Sequence, residues 1–378
     1  MELSKLFNGM QVKTVLQSEP GKTATQEREN DASYELELNV KVKVPKANQS
    51  LNELSRLNEA LPKVLPGLAA MLPQARVAPS YEALYQRKLG ELQRDMSRLD
   101  QLLSRHNFFD CETILELRNP QTKRAAVLLQ ADMDVDMDGS DADRLPPVDG
   151  SSSTFQPMTS YRWPKVTELL NPFLPSRQAR LLSLESELQQ AKGMGASRLH
   201  AIRDRVGAAQ YEVTQLKKNS FLLAATDPYV VLPGAMANAA ENETDPAFTP
   251  HVGDYCVVIY GDTIYPAIVG DVGPSGLVGE ASYRLAKELN AKANADSRSV
   301  STLKVTYLFF PNSADKPFGP PNLVKWHDRA AELLKEFGGY GGTLHLWEEL
   351  SRPAPTPTPT PVPTPTPTMD LTDELLGA

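Results

Sequence analysis

The chain reads IYPAIV at residues 264–269 and continues GDVGPSGLVGEAS through residues 270–282. The first part predicts a strand, the glycines and the proline predict a turn, and Tyr283–Leu289 then predicts a helix. This order places two carboxylates, those of Asp271 and Glu280, close in sequence at one rim of the predicted β structure. Asp271 stands at the strand end, and Glu280 is expected in the first helical turn, where the helix dipole favours a negative charge. The alternative is that Asp271 only caps the turn and Glu280 only caps the helix.

Short strands separated by turns surround this stretch. They are predicted at Thr113–Leu117, Ala125–Gln130, Tyr229–Leu232, Asp254–Tyr260, Ile264–Gly270 and Leu303–Phe310. Many short strands with turn residues between them indicate a β-barrel or a β-sandwich. Together with the predicted helices, this pattern favours an α+β fold whose β core spans residues 108–352.

Two apolar stripes with helical spacing interrupt these strands. The first runs from Leu181 to Ala191, the sequence Gly193-Met194-Gly195 breaks it, and the second runs from Leu199 to Leu216. Two such stripes predict an antiparallel, coiled-coil-like helical hairpin over 174–219, inserted into the β core. Its charged outer faces are interpreted as solvated surface, with binding of a partner as the alternative.

Residues 34–107 are predicted to add a strand and helices in front of the β core. Tyr34–Val44 alternates apolar and polar side chains, which is typical of a strand with one wet face. A leucine stripe over 51–61 indicates a short helix that ends at Pro62. A longer stripe over 85–103 predicts a helix packed along a partner.

Both ends of the chain are predicted to be flexible. Residues 1–33 form a polar leader, and residues 353–378 form a disordered tail in which proline alternates with threonine. The last ten residues could also dock to a partner. No secretion signal is visible at the N-terminus, and no apolar run predicts a membrane span.

The composition excludes several classes of function. Lys and Arg total 39 against 47 Asp and Glu, a formal charge of −8, which argues against nucleic-acid binding and favours a cationic partner. Two cysteines, Cys111 and Cys256, exclude a disulfide scaffold and a thiolate zinc cluster but leave one disulfide open.

An acidic segment reads ADMDVDMDGSD at residues 131–141. On a strand, the alternate carboxylates of Asp132, Asp134 and Asp136 point the same way, and with Asp138 they require a cation nearby. A metal ion or the ammonium groups of a bound polymer would serve. The segment fits only the first half of a calcium loop, since the twelfth position is Leu145, so we predict neither a metal nor another cofactor.

Several segments, taken in order, resemble the fungal-type chitosanases, glycoside hydrolase family 75. These are MDVDMDG at 133–139, Thr159, DPYVVLP at 227–233, GD at 253–254, GDVGP at 270–274, GEAS at 279–282 and FPNS at 310–313. The GDVGP and GEAS pair is the most specific part. The resemblance covers about half the chain and omits the N-terminal region, the hairpin and the tail.

The resemblance implies hydrolysis of chitosan, the β-1,4-linked glucosamine polymer, with inversion at the anomeric carbon. Its two essential carboxylates correspond to Asp271 and Glu280, of which we favour Glu280 as acid and Asp271 as base. It further implies a six-stranded barrel similar to the double-psi barrels of expansins. The residues expected to bind the substrate are Asp132, Asp134, Asp136, Asp138, Thr159, Tyr161 and Tyr229. The two tyrosines are expected to stack on sugar faces, with a place in the core as the equal alternative.

Two other functions fit the same residues. One is a non-catalytic barrel that binds carbohydrate or cell wall, and the other is a peptidoglycan-cleaving enzyme. In each case the partner is a polysaccharide. Chitosan lies outside the cell, so the substrate suggests secretion although no signal is visible.

Overall fold

The structure is a computed structural model in which residues 3–5, 11–13, 37–102, 104, 110–144, 152, 154–191, 195–238, 245–295 and 299–350 are described. Strands β1 (Leu3–Lys5) and β2 (Gln11–Lys13) pair antiparallel, so this part of the predicted flexible leader is extended. The rest of the leader up to residue 33 and the tail at 353–378 lie outside the described residues.

The other elements follow in chain order. The helices are α1 (Leu51–Ser55), α2 (Leu61–Val64), α3 (Leu68–Met71), α4 (Pro79–Asp95), α5 (Leu99–Leu102), α6 (Leu174–Gln190), α7 (Ala196–Lys218), α8 (Gly234–Ala237), α9 (Tyr283–Leu289) and α10 (Leu323–Phe337). The strands are β3 (Arg76–Val77), β4 (Cys111–Arg118), β5 (Ala125–Asp136), β6 (Arg162–Pro164), β7 (Asn219–Phe221), β8 (Tyr229–Pro233), β9 (Tyr255–Tyr260), β10 (Thr263–Gly273), β11 (Glu280–Ser282), β12 (Val300–Phe309) and β13 (Thr343–Leu344).

Six of the described strands close into a barrel in the order β5, β12, β9, β10, β8 and β11, with β11 pairing back onto β5. The β8–β10 and β11–β5 pairs are parallel, and the other four pairs are antiparallel. The predicted α+β class with a β-barrel core is therefore confirmed. Continuous buried runs such as Cys256–Ile259 supply the core, and α10 covers it with an apolar face.

The two cysteines lie in this core as free thiols. Cys111 and Cys256 are both buried and are not joined to each other, so the disulfide that the sequence left open does not form. Among the described helices, none has the length and apolar character to cross a membrane.

The predicted antiparallel hairpin is present as α6 and α7. Ion pairs join Arg205 to Glu187 at 3.2 Å and Arg177 to Glu212 at 3.1 Å, which fixes the antiparallel direction. Apolar side chains, including Ile202, fill the seam between the helices. The strand β7, which directly follows α7, pairs with β6 and joins the hairpin to the barrel.

The prediction of a strand at Tyr34–Val44 is wrong for its described part. Residues 37–44 have no regular secondary structure, and Leu38, Val40 and Val44 are exposed. No described strand pairs with this segment, so its alternating pattern has no sheet on which to pack.

Two helix predictions in the N-terminal region also need correction. The short helix α1 ends at Ser55, and Pro62 lies in the first turn of α2, where its missing N–H is tolerated. The long stripe divides into α4 and α5. The buried face of α4, which includes Tyr85, packs into the barrel core instead of along a partner helix, and Lys88 on that face contacts Asp110 at 3.2 Å.

Candidate active site

The register of three barrel strands sets the positions of Asp271 and Glu280. Val231 on β8 is paired with Asp271 on one side, in β10, and with Glu280 on the other side, in β11. Residues in register on neighbouring strands point to the same face, so both carboxylates face the same way. Two strand spacings of about 4.8 Å put their Cα atoms roughly 10 Å apart.

Two glycines allow this arrangement. Gly279 has a φ of +77°, and a Cβ there would lie 2.4 Å from the carbonyl oxygen of Asp132, so only glycine lets β11 approach β5. At Gly270, a Cβ would lie 2.6 Å from the Cβ of Tyr229. The pairing of β10 with β8 shifts between Val269 and Asp271, and such a bulge re-aims the following side chain.

Glu280 does not lie in a helix, contrary to the prediction. It begins the strand β11, and Ser282 is the N-cap of α9, its hydroxyl accepting from the backbone N–H of Leu285. The helix dipole therefore does not act on Glu280, and the alternative in which Glu280 caps the helix is excluded. Three residues are too few for a periodic signal, which is why the strand was missed.

Asp271 is held as a hydrogen-bond acceptor. Its Oδ1 accepts from the hydroxyl of Ser160 at 2.5 Å, from the backbone N–H of Ser160 at 3.1 Å and from the N–H of Val272 at 2.7 Å. Burial raises the pKa of Asp271, while these hydrogen bonds lower it. The net result is a raised pKa for Asp271, and the hydrogen bonds hold its carboxylate in a fixed orientation.

Glu280 is surrounded by more negative charge than Asp271. A Cβ added at Gly273 would lie 3.3 Å from Glu280 Oε2, so the carboxyl group lies beside the GDVGP turn. Burial, followed by the negative charges of Asp136 and Asp134, raises the pKa of Glu280 well above its usual range. These surroundings favour the protonated acid at neutral pH.

The acidic segment divides between cleft and core. Asp134, Asp136 and Asp138 line the same cleft as Asp271 and Glu280, as alternation along β5 predicts. Asp132 is fully buried beneath them and does not line the cleft, which contradicts its assignment to substrate binding.

Hydrogen bonds hold the two carboxylates at the end of this segment. Asp136 accepts from the hydroxyl of Tyr229 at 2.9 Å, and Asp138 accepts from the N–H of Gln156 at 2.7 Å. Burial, then the charge of Asp271, raises the pKa of Asp136 to about 7. Burial, then Asp136, raises the pKa of Asp138 to about 8.

These raised pKa values predict that the free energy of unfolding falls as the pH rises from 5 to 8. The ordinary value is 3.8, so between about pH 4 and their folded pKa values Asp136 and Asp138 hold protons that the unfolded chain has released. Raising the pH therefore favours the unfolded chain, with a slope of about 1.4 kcal/mol per pH unit for each proton. Urea denaturation at four pH values measures the slope. It should flatten in the Asp136→Asn/Asp138→Asn double variant, and an unchanged slope would contradict the assignment.

Three carboxylates in the cleft could hold a cation. Asp136, Asp138 and Asp271 each place an oxygen within 4.8 Å of the other two. Because Asp136 and Asp271 come from strands that do not pair with each other, their closeness also shows that the side chains converge towards the cleft. Asp134 and Asp136 lie on a strand, so the segment is not a calcium-binding loop of the EF-hand type.

The aromatic residues expected to stack on sugars have no free face. Tyr229 is fully buried, and its hydroxyl positions Asp136. Tyr161 is buried, stacks on Phe318 and donates its hydroxyl to the carbonyl of Gly319. Thr159 lines the cleft, but its hydroxyl is engaged with the backbone of Tyr161.

Asp141, at the end of the acidic segment, and Asp143, just beyond it, make structural contacts. Arg144 contacts Asp141 at 2.5 Å and Asp227 at 2.8 Å, and its guanidinium lies over the ring of Trp163. Asp143 accepts from the N–H groups of residues 166 and 167 and from two hydroxyls. These aspartates therefore brace the barrel and do not add negative charge to the cleft.

The cleft has a volume of about 780 Å³ and contains residues that the sequence did not single out. The polar and aromatic ones are Thr154, Gln156, Ser160, Arg162, Tyr211 and Phe221. Ser160 directly follows Thr159 in a segment that the sequence had marked, whereas Tyr211 lies in the hairpin, which sequence patterning assigned only to helix packing. Taken together, the cleft pairs an oriented carboxylate with a carboxyl group whose pKa is raised, which suits general acid–base chemistry.

Comparison with known protein families gives a match over the barrel. A family model described as fungal chitosanase of glycosyl hydrolase group 75 matches residues 133–344, more than half of the chain. The matched range contains the cleft carboxylates and spans the hairpin. No curated protein matches the chain.

Proposed function

Because the chain belongs to glycosyl hydrolase group 75, the fungal chitosanases, which hydrolyse chitosan, we propose that it cuts β-1,4-glucosaminidic bonds within the polymer with inversion. The observation that carries this proposal is the placement of Asp271 and Glu280 on either side of Val231. Inverting enzymes need about 6.5–9.5 Å between the carboxyl groups so that a water molecule fits between them. Side chains that converge from Cα atoms roughly 10 Å apart are compatible with this range.

In the proposed reaction, Glu280 donates its proton to the glycosidic oxygen, and Asp271 accepts a proton from the attacking water. The raised pKa of Glu280 supports its role as acid. The three hydrogen bonds to Asp271 support its role as base, since they orient the carboxylate.

The cleft also suits a cationic polymer. Asp134, Asp136 and Asp138 line it next to the two proposed catalytic residues. The ammonium groups of a bound glucosamine chain would bring the positive charge that favours ionisation of these buried carboxyl groups. We therefore keep these three aspartates as proposed substrate-binding residues.

Release of reducing ends from chitosan, chitin and peptidoglycan tests the proposal. We expect release from chitosan, with a fast fall in viscosity that marks internal cleavage. Proton NMR during the first turnovers should show the α-anomer. No release from any polymer would leave a carbohydrate-binding barrel, release from peptidoglycan alone would change the substrate class, and an initial β-anomer would overturn inversion.

The charge of Asp136 should tune the pH dependence of the reaction. After burial, Asp136 is the largest cause of the raised pKa of Glu280. Asp136→Asn should therefore move the alkaline limb of the rate profile to lower pH, because Glu280 then loses its proton earlier. Initial rates on a glucosamine hexamer between pH 4 and 9 measure the shift. The amines of the hexamer titrate in the same way with both proteins. Their effect therefore cancels in the ratio of the variant's rate to the rate of the unaltered protein.

Asp262→Asn is the matched control for this experiment. Asp262 is an exposed carboxylate at the opposite end of β10, and it does not line the cleft. Its profile should coincide with that of the unaltered protein. An alkaline limb that stays in place in Asp136→Asn would contradict the role of Asp136.

A further inference from the structure

The cleft has two walls of different chemical character. One wall consists of the barrel carboxylates described above. The other is built on the helical hairpin and on the β6–β7 ribbon that ends it, where Arg162 pairs with Phe221. Tyr211 on α7, Arg162 on β6 and Phe221 on β7 all line the cleft from this side.

Tyr211 presents an open aromatic ring to the cleft. The residue is 50 % exposed, whereas the apolar residues of α7 that face the seam, such as Val206 and Val213, are buried. A tyrosine ring offers a broad apolar face, which suits the C–H face of a pyranose ring. The tyrosine side chain also loses little conformational entropy on contact. In contrast to Tyr161 and Tyr229, Tyr211 has surface available for such a contact.

Arg162 is the cationic residue among the described side chains that line the cleft. Its guanidinium is an obligate hydrogen-bond donor with no acceptor, and it repels an ammonium group. It therefore disfavours an unmodified glucosamine at this wall and favours a residue with an acceptor, such as the acetamide carbonyl of N-acetylglucosamine. Gln156 and Thr154 supply further polar groups to the same cleft.

We propose that Tyr211 and Arg162 form a subsite that selects an N-acetylated hexosamine residue, while the acidic wall selects glucosamine. The enzyme would then bind partly acetylated chains in one preferred register. The cleavage step in this inference rests on the proposed function, but the subsite itself is a property of binding and can be measured without turnover.

The test uses calorimetry on full-length protein that carries Glu280→Gln, with hexamers of N-acetylglucosamine and of glucosamine as probes. Tyr211→Ala should weaken binding of the acetylated hexamer by about tenfold, equivalent to about 1.4 kcal/mol, and Tyr211→Phe should retain it. Arg162→Glu should weaken binding of the acetylated hexamer and strengthen binding of the glucosamine hexamer. Arg203→Glu, the same charge reversal at an exposed position of α7 that does not line the cleft, is the matched control.

Each outcome is decisive. The proposal is overturned if the acetylated hexamer does not bind, if Tyr211→Ala leaves its affinity unchanged, or if Arg203→Glu shifts the preference as much as Arg162→Glu does. A protein that hydrolyses no polymer but shows the expected changes would retain the subsite and lose the proposed function. A protein that hydrolyses chitosan with no such changes would retain the function and lose the subsite.

Discussion

Hydrolysis of chitosan by the Asp271→Asn and Glu280→Gln variants is expected to fall by at least about 100-fold, which is what the loss of a positioned general base or acid removes. Both substitutions keep the side-chain size. Asp271→Asn also removes a charge from a crowded group of carboxylates, and Glu280→Gln replaces a carboxyl group that is favoured in its neutral form, so the unfolding midpoint at neutral pH should be unchanged or higher. Initial rates and denaturation curves on the same preparations separate lost chemistry from lost folding.

Asp262→Asn makes the same chemical change outside the cleft and should keep full turnover. Chitosan binding should survive in both cleft variants, because Asp134, Asp136 and Asp138 remain. Near-full turnover in Asp271→Asn would remove this residue from the mechanism. Asp271 would then serve only to close the turn through its contacts with Ser160 and Val272.

The second large effect concerns stability. Arg144→Met should lower the free energy of unfolding by about 3–5 kcal/mol, because it removes the cation shared by two buried carboxylates. The guanidinium contacts Asp141 and Asp227 and donates to the carbonyl of Phe221 at 2.9 Å. Methionine fills most of the volume but replaces none of these contacts. Urea denaturation at pH 7 measures the change.

Arg203→Met is the control for this prediction, since Arg203 is exposed on α7. Its effect should stay within about 0.5 kcal/mol. If Arg144→Met is equally mild, the Arg144 cluster is not a brace of the barrel.

The sequence predicted the parts of the fold that carry a long periodic signal. The stripes of α6 and α7 and the apolar runs of β9 and β10 were placed correctly, because packing on a core requires that spacing. Tyr34–Val44 shows the limit of this reasoning, since an alternating pattern forms a strand only where a neighbouring strand exists. The strand β11 was missed because three residues carry no period.

For the site, the sequence predicted which carboxylates line the cleft better than it predicted their surroundings. Asp271 and Glu280 were chosen from their motif, and they line the cleft. Tyr161 and Tyr229 were chosen as aromatic residues near the motifs, but whether an aromatic ring is open or buried depends on tertiary packing. Tyr211 escaped notice for the same reason, because nothing in a helical stripe tells which exposed residue borders a cleft.

The pairing of both proposed catalytic strands with β8 has a consequence for divergence within the family. Because Val231 lies between Asp271 and Glu280, the separation of the two carboxylates is set by backbone hydrogen bonds across a sheet. The connecting residues 274–278 lie outside these strands and contribute little to it. Insertions or deletions in that connection can therefore accumulate in relatives without changing the stereochemistry of the product, provided that a glycine still precedes the glutamate and lets its strand approach β5. Insertion of a residue next to Val231 is less tolerable. A bulge there would alter the separation of the Asp271 and Glu280 carboxyl groups, between which a water molecule must fit.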